Sequence, residues 1–221
     1  MTEEREALTI DVVSDVVCPW CYLGKKRLER ALAEDGEVVQ VRWRPYQLDP
    51  TIPAGGLDRQ TYMRNKFGDD GRLEQIHERL RALGAEEGIA YAFDKIERSP
   101  NTLDAHRLIR WAAEAGVQDA VVDKLFGLYF EQGRDIGDRK LLVEVAREAG
   151  MDASSVEKRL AEGTDEREVQ QEIAQAQSLG VTGVPFFIFA SRFGVPGAQS
   201  AEVLSSALER ARQSLAGIET A

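Results

Sequence analysis

The chain is poor in metal-binding and redox residues: it has two cysteines and two histidines among 221 residues. A structural zinc site takes four ligands, and neither His77 nor His106 has a partner at ligand spacing. The sequence therefore predicts no metal site within one chain. A zinc-bridged dimer through two Cys-x-x-Cys pairs remains as an alternative.

Long apolar runs and basic runs are also missing, and the net charge is -10. The first absence argues against a membrane span, and the second against nucleic acid or an anionic membrane as partner. The longest cationic cluster, Lys25-Lys26-Arg27, is interpreted as a solvated helix face. The acidic N-terminus from Met1 to Glu6 lacks the apolar stretch of a secretory signal, so we expect a cytoplasmic protein.

Both cysteines stand in one tetrapeptide, Cys18-Pro19-Trp20-Cys21. Alternation and β-branching predict a strand over Leu8–Val13, and apolar spacing predicts a helix from about Cys18 to Ala33. A second strand is predicted from Val38 to Arg44. A Cys-x-x-Cys between a strand and a helix is typical of thioredoxin-type redox proteins.

The middle of the chain shows helical periodicity and almost no strand signal. The segment from Thr51 to Asp58 contains Pro53 and two glycines, which indicates a linker. Asn101 is a candidate N-cap for one of the helices, with Asp104 three residues on. The predicted helices cover residues 73–83, 103–115, 121–129, 141–149 and 156–160.

The last third of the chain returns to a mixed pattern. It predicts a helix over 166–179, strands over 186–190 and 193–195, and a final helix over 200–215 with Val203 facing the core. Phe186, Phe187 and Phe189 are assigned to a buried central strand. The predicted fold is α/β: residues 1–56 and 165–221 form a four-stranded mixed sheet domain, and residues 57–164 form an inserted all-α domain.

The chain resembles the DsbA-like branch of the thioredoxin superfamily over nearly its whole length. Within that branch it is most similar to FrnE-like proteins, which are related to 2-hydroxychromene-2-carboxylate isomerases and kappa-class glutathione transferases. The resemblance implies a thioredoxin-like fold with a helical insertion. The motifs that carry it are Asp15–Gly24, Trp43–Leu48, Asn101–His106, Gly180–Pro185 and Gly197–Gln199.

Cys18 is predicted to be the nucleophile, because the free N–H groups at a helix N-terminus stabilise a thiolate. Cys21, one turn further along, is predicted to resolve the mixed disulfide. Pro19 and Trp20 lie between the sulfurs and are expected to tune the pair and to contact substrate. The alternative is two buried and inert cysteines.

The resemblance implies that Pro185 is cis and faces the cysteines, so that the backbone of Val184 can pair with an extended substrate. It also implies that the Asn101-Thr102 region lines the cleft, and Asn101 and His106 are candidates for touching substrate or tuning Cys18. The alternatives for these two are a helix cap and a packing histidine. Trp43, Tyr46 and Gln47 are expected either to line the groove or to pack in the core or at an edge. Asp15 is expected either to point at Cys18 or to face water.

The function predicted is a thiol-disulfide oxidoreductase or isomerase, acting on protein or small-molecule thiols and disulfides. No bound cofactor is expected, although glutathione can serve as co-substrate. The alternative is a glutathione-dependent isomerase or transferase, against which Cys18 counts because those relatives commonly carry serine there. A non-catalytic binding or chaperone module is a third hypothesis. The oligomeric state, monomer or homodimer, is left open.

Overall fold

A four-stranded mixed sheet forms the centre of the structure, a computed structural model that describes residues 8–219, with side chains up to residue 216. Its strands are β1 (Leu8–Ser14), β2 (Val39–Pro45), β5 (Phe186–Phe189) and β6 (Phe193–Pro196). A separate antiparallel pair joins β3 (Leu57–Asp58) to β4 (Arg98–Ser99).

Nine α-helices surround the sheet within the described residues, and a 3-10 turn covers Phe93–Lys95. The helices are α1 (Pro19–Asp35), α2 (Arg59–Phe67), α3 (Arg72–Glu86), α4 (Leu103–Glu114), α5 (Gln118–Phe130), α6 (Arg139–Glu148), α7 (Ala153–Ala161), α8 (Glu166–Ser178) and α9 (Ala201–Glu219).

The strand order is β2-β1-β5-β6. Strands β1 and β2 are parallel and are connected through α1, as the sequence predicts, whereas the other two pairings are antiparallel. The order of elements is therefore β-α-β, a helical segment, and α-β-β-α. This arrangement is a thioredoxin-like fold and confirms the predicted fold class.

The two faces of the sheet pack against different helices. Phe187 and Phe189 are fully buried on the face that α1 and α9 cover, which confirms the predicted central strand. On the other face, Val13 packs with Ala176 of α8 and with Val181. The alternation along β5 thus divides its side chains between two cores.

The helical segment joins the sheet at the outer edge of β2. The Gln118 side chain accepts a hydrogen bond from the Trp43 backbone N–H at 2.9 Å and donates one to its carbonyl at 3.1 Å. It thereby occupies edge groups that a further strand would otherwise pair with. The predicted domain limits, 1–56 with 165–221 and 57–164, stay a prediction.

Helix α2 was absent from the sequence prediction, which ended a linker at Asp58. The helix buries no residue and so has no apolar periodicity to detect. Its N-cap is Asp58, whose side chain accepts a hydrogen bond from the Thr61 N–H. The two short strands β3 and β4 were also missed, since two residues are too few to show alternation.

The predicted solvated helix face at Lys25-Lys26-Arg27 is wrong for Lys25, whose side chain is 1% exposed. Its ammonium lies 3.0 Å from Asp119 and 3.5 Å from Asp123, both on α5. These partners lie more than 90 residues away, so only the packing of α5 against α1 turns this position into a buried ion cluster.

Two smaller predictions at helix starts also need correction. The N-cap of α4 is Thr102 rather than Asn101, although the Asn101 side chain does accept a hydrogen bond from the Leu103 N–H at 2.9 Å. Val203 in α9 is 45% exposed and does not face the core. Its neighbours Leu204 and Leu208 are fully buried and take that role.

Candidate active site

The first cysteine lies at the N-terminal end of α1. Cys18 is the N-cap residue in extended conformation, and Pro19 begins the first turn. The Cys18 N–H donates to the Asp15 carbonyl at 2.9 Å, and the Cys18 carbonyl accepts from the Cys21 N–H at 3.0 Å. Proline suits this place because its missing N–H would have no helical partner there. The turn therefore presents the Cys18 side chain at the end of the helix.

A loop from the other end of the chain meets this turn. The Val184–Pro185 peptide bond is cis, as the resemblance implies. The thiol of Cys18 donates to the Val184 carbonyl, with 3.6 Å between sulfur and oxygen. The predicted pairing of Val184 with an extended substrate stays a prediction.

Gly24, which the sequence prediction did not assign to the site, allows this contact. A Cβ at Gly24 would lie 3.0 Å from Cγ of Pro185 and 3.1 Å from Cζ of Phe187. Such distances are tighter than ordinary van der Waals contact. The close approach of α1 to the loop therefore depends on a residue without a side chain.

The two cysteines have different surroundings, and both are free thiols. Both cysteines are buried, with Cys18 4% and Cys21 1% exposed, but only Cys18 also lines a cleft. Burial raises the pKa of Cys21 well above its ordinary value, and the neighbouring Cys18 raises it further. Cys21 is consequently held as a thiol, and Cys18 is the one of the two that borders the cleft.

The cleft beside Cys18 has a volume of about 320 Å³. Most of its wall is apolar, and much of that wall comes from α2, α3 and the segment that follows β2. The apolar residues lining it include Val17, Leu48, Ile52, Met63, Phe67, Leu73, Ile76 and Leu80. An enclosed apolar wall with a few polar groups is typical of small-molecule sites.

Polar groups converge on the same cleft. Arg59 donates to the hydroxyl of Tyr129 at 3.1 Å, and Tyr62 donates to Asp49 at 3.1 Å. Burial raises the pKa of Tyr129 to about 12, although the charge of Arg59 opposes this shift. Burial and the charge of Arg59 lower the pKa of His77, which also lines the cleft. At neutral pH, Tyr129 is thus a neutral hydroxyl and His77 a neutral imidazole.

The residues between the cysteines are held from the side of the helical segment. The hydroxyl of Tyr91 donates to the Pro19 carbonyl at 2.5 Å. Trp20 is half-buried, lines the cleft, and has the Arg79 guanidinium 5.7 Å from its ring centre. Pro19 and Trp20 both line the cleft beside Cys18, and their contact with a substrate stays a prediction.

His106 lies behind the cleft rather than in its wall. The ring is buried, and its Nε2 is 3.3 Å from Oδ1 of Asp15. The other oxygen of Asp15 accepts from the Leu48 N–H at 2.8 Å. Asp15 itself is 1% exposed although it lines the cleft, so it does not face bulk solvent.

Asn101 also supports the wall from behind. It donates to the Ile52 carbonyl at 2.6 Å and accepts from Gln47 at 3.1 Å, while its neighbours Pro100 and Thr102 line the cleft. Trp43, Tyr46 and Gln47 are buried and do not line the cleft, so packing is the alternative that the structure favours. Substrate contact by Asn101 and His106 stays a prediction.

The wall residues on α2 were missed together with their helix. The signal available in the sequence was the group Tyr62, Met63 and Phe67, large side chains in an otherwise polar stretch. Within residues 8–219, no three His, Cys, Asp or Glu side chains are grouped to hold a metal. No helix in that range is long and apolar enough to cross a membrane.

Comparisons with known proteins agree with this geometry. The family model described as DSBA-like thioredoxin domain matches residues 9–209. A probable DsbA oxidoreductase from Streptomyces coelicolor is 37% identical, with a TM-score of 0.84 over 93% of this chain and 90% of that one. The uncharacterized protein YwbO of Bacillus subtilis (strain 168) is 28% identical over 90% of this chain and 94% of its own length.

A more distant structure shares the fold. A 2-hydroxychromene-2-carboxylate isomerase is 19% identical, with a TM-score of 0.70 over 95% of this chain and 98% of that one.

Proposed function

This chain belongs to the DSBA-like thioredoxin domain family, and we propose that it is a thiol-disulfide oxidoreductase acting through Cys18 and Cys21. The observation that carries the proposal is the placement of the Cys18 sulfur. It lies at a helix N-terminus, lines the cleft, and is 3.6 Å from the Val184 carbonyl beside a cis proline. Reactive cysteines commonly lie at helix N-termini, and the thiolate is the form that attacks a disulfide.

The reaction takes two exchanges. In the first, the Cys18 thiolate attacks a substrate disulfide, and one substrate sulfur leaves as a thiolate that takes up a proton. In the second, Cys21 loses its proton and attacks the Cys18 sulfur, which releases the second substrate thiol. The substrate gains two electrons and two protons, and the protein becomes the Cys18–Cys21 disulfide. The reverse sequence oxidises a dithiol substrate.

The raised pKa of Cys21 is consistent with this order. A resolving thiol that stays protonated does not compete with Cys18 for the substrate. Once Cys18 is bonded to the substrate sulfur, its contribution to the raised pKa of Cys21 is lost, whereas the larger contribution of burial remains.

Two serine variants test the proposal. Cys18→Ser is expected to abolish reduction or reshuffling of a model disulfide. Cys21→Ser is expected to accumulate a mixed disulfide between Cys18 and the substrate, detectable as a mass increase that dithiothreitol removes. A Cys18→Ser protein with wild-type activity would rule the proposal out.

The apolar cleft favours a second candidate, a glutathione-dependent isomerase or transferase. A cleft of about 320 Å³ next to Cys18 admits a small molecule. Such a reaction needs no resolving thiol, so Cys21→Ser would retain it while blocking multiple-turnover disulfide exchange. Glutathione binding by calorimetry, with product formation on a test substrate, would decide for this candidate.

Several further assignments rest on the sequence and are proposed with the activity. We expect exchange to need no bound cofactor, with protein or small-molecule thiols as partners and glutathione as a co-substrate. The reducing cytoplasm is the proposed compartment, where a dithiol is more often catalytic than structural.

A further inference from the structure

A cationic side chain in the cleft has no role in the chemistry proposed above. Arg59, the first residue of α2, is half-buried and lines the cleft that also contains Cys18. One of its Nη atoms donates to the Tyr129 hydroxyl at 3.1 Å, and its guanidinium lies 5.9 Å from the centre of that ring. In the part of the chain that the structure describes, no carboxylate forms an ion pair with it.

The acidic groups of the cleft are already engaged. Asp49 accepts hydrogen bonds from the backbone and hydroxyl of Thr51 and from the Tyr62 hydroxyl. Asp15 accepts from the Leu48 N–H and faces His106. Neither carboxylate lies against Arg59, so the charge of this guanidinium is balanced by no neighbouring group of the cleft.

The single partner of Arg59 fixes the side chain and leaves most of its donors free. The Tyr129 hydroxyl donates to the Arg98 carbonyl at 3.2 Å, so its oxygen is the acceptor for Arg59. Tyr129 is fully buried and cannot move away from this position without disrupting the core. A guanidinium carries five N–H donors, and this contact uses one of them.

The other cation of the cleft is arranged differently. Lys66 is exposed, and its ammonium donates to the Tyr62 hydroxyl at 3.0 Å. Arg59 is therefore the cleft cation that is both partly withdrawn from water and held in one orientation. An anion bound there loses less to competition with solvent than one at an exposed lysine.

We propose that Arg59 binds the carboxylate of a small apolar disulfide or thiol, whose body lies on the apolar wall and whose sulfur meets Cys18. This inference rests on the proposed oxidoreductase activity and names its substrate class. The volume of about 320 Å³ suits a small molecule and not a folded partner. The planar guanidinium matches a carboxylate through two parallel hydrogen bonds.

The exchange with such a substrate balances as above. The Cys18 thiolate takes one sulfur of the disulfide, and the first carboxylate-bearing thiol leaves. Cys21 then closes the protein disulfide and releases the second thiol. Arg59 neither transfers nor accepts electrons or protons during these steps, because it binds the carboxylate of the substrate, which does not react.

Two aromatic disulfides that differ in charge provide the test. 5,5′-Dithiobis(2-nitrobenzoate) carries a carboxylate on each ring, whereas 2,2′-dithiodipyridine is neutral at pH 7. The rate constant of each with the reduced protein is measured by stopped-flow absorbance, and the quantity compared between variants is the ratio of the two. This ratio cancels any change in the intrinsic reactivity of Cys18.

Arg59→Gln is expected to lower that ratio about tenfold or more, the effect of losing one charge-assisted hydrogen bond. Arg59→Lys keeps the charge without the planar fork and is expected to fall in between. The matched control is Arg64→Gln on the same helix, since Arg64 is exposed and does not line the cleft. It is expected to leave the ratio unchanged.

The outcomes separate this inference from the proposed function. If Arg59→Gln slows both disulfides equally or changes neither, Arg59 is a structural residue and the inference is wrong. If the wild-type protein reacts with neither disulfide, the oxidoreductase proposal itself fails. A reaction with both disulfides that keeps the wild-type ratio in every variant rejects the inference alone.

Discussion

Gly24 and Pro185 touch across 161 residues of sequence, with no side chain between helix α1 and the loop that carries the cis proline. A Cβ on Gly24 would come within 3.0 Å of Cγ of Pro185. The glycine thereby sets how closely the Val184 carbonyl approaches Cys18.

Gly24→Ala is accordingly expected to destabilise the protein, against the usual effect of alanine in a helix. Alanine is normally favoured over glycine in a helix by about 1 kcal/mol. Here the new methyl group meets Pro185 and the fully buried Phe187, and such overpacking costs about 1–3 kcal/mol. The control is Gly127→Ala in α5, where nothing lies within 4 Å of the added Cβ.

The free energy of unfolding of both variants is measured by urea denaturation. Gly127→Ala is expected to be at least as stable as the wild type, and Gly24→Ala less stable by roughly 1–3 kcal/mol than that control. Equal free energies of unfolding would show that the loop containing Pro185 moves to accommodate the methyl group without destabilising the protein.

The two cysteines are expected to differ in reactivity with pH. Burial and the adjacent Cys18 raise the pKa of Cys21, so this thiol stays protonated at pH values where an ordinary thiol has begun to ionise. Iodoacetamide treatment of the reduced protein should therefore modify Cys18 alone from about pH 6 to 9, as read by peptide mass spectrometry. Denatured protein, the control, should be modified at both positions. Early labelling of Cys21 in the folded state would contradict this expectation.

Tyr91→Phe is expected to loosen the turn that contains the cysteines. It removes the hydrogen bond to the Pro19 carbonyl and retains the ring, which stacks on Phe93 with centroids 5.0 Å apart. Loss of one buried hydrogen bond costs about 1 kcal/mol of unfolding free energy. Tyr62→Phe on α2 is the comparison: its hydroxyl bonds to Asp49 and to the exposed Lys66, where water can replace it, so stability should change by less than about 0.5 kcal/mol.

A loss no larger in Tyr91→Phe than in Tyr62→Phe would mean that water replaces the missing hydroxyl at Pro19. Thermal and urea unfolding on the same samples distinguish these results. The exchange rate of Cys18, measured alongside, reports whether the loosened turn alters reactivity.

His77 is expected to make the protein less stable in mild acid. Its folded-state pKa lies below the ordinary value, chiefly through burial and secondly through the charge of Arg59. Below about pH 6.5 the unfolded chain binds a proton at His77 more readily than the folded protein does. This contribution to stability is complete at higher pH and is lost as the pH falls.

The His77 ring stacks on Phe93 with their centroids 4.0 Å apart. His77→Phe keeps an aromatic ring at this place and removes the group that titrates. The unfolding free energy of this variant should fall less than that of the wild type between about pH 7 and 5, measured by urea denaturation at each pH. The charge of His77 also helps to lower the pKa of Glu74, but that carboxyl titrates below this pH range. Parallel pH profiles would therefore show that His77 titrates normally.

Local patterns in the sequence predicted the elements that carry the chemistry. The strand, the Cys-x-x-Cys and the helix follow one another in the chain, and their periodicities are clear over Leu8–Asp35. Resemblance added the cis proline at Pro185, which no local pattern shows. The structure places Cys18 at the helix start and makes the Val184–Pro185 bond cis, as predicted, whereas the roles of these residues in the chemistry stay a proposal.

The cleft could not be predicted in this way. Helix α2 buries no residue, so its sequence has no apolar stripe, yet Arg59, Tyr62 and Met63 on this helix form part of the wall. Lys25 was assigned to solvent because its charge suits an exposed helix face. Its actual partners on α5 are distant in sequence.

The sequence by itself determined the Cys-x-x-Cys turn, the sheet that presents it and the fold class, because these follow from residue types and periodicities within short segments. Only the tertiary structure decided which groups surround the Cys18 sulfur. Arg59 and Tyr129 are 70 residues apart, and Tyr91 and Pro19 are 72 apart. Such contacts depend on how whole elements pack, and packing responds to shape and charge across the core, which no local pattern records.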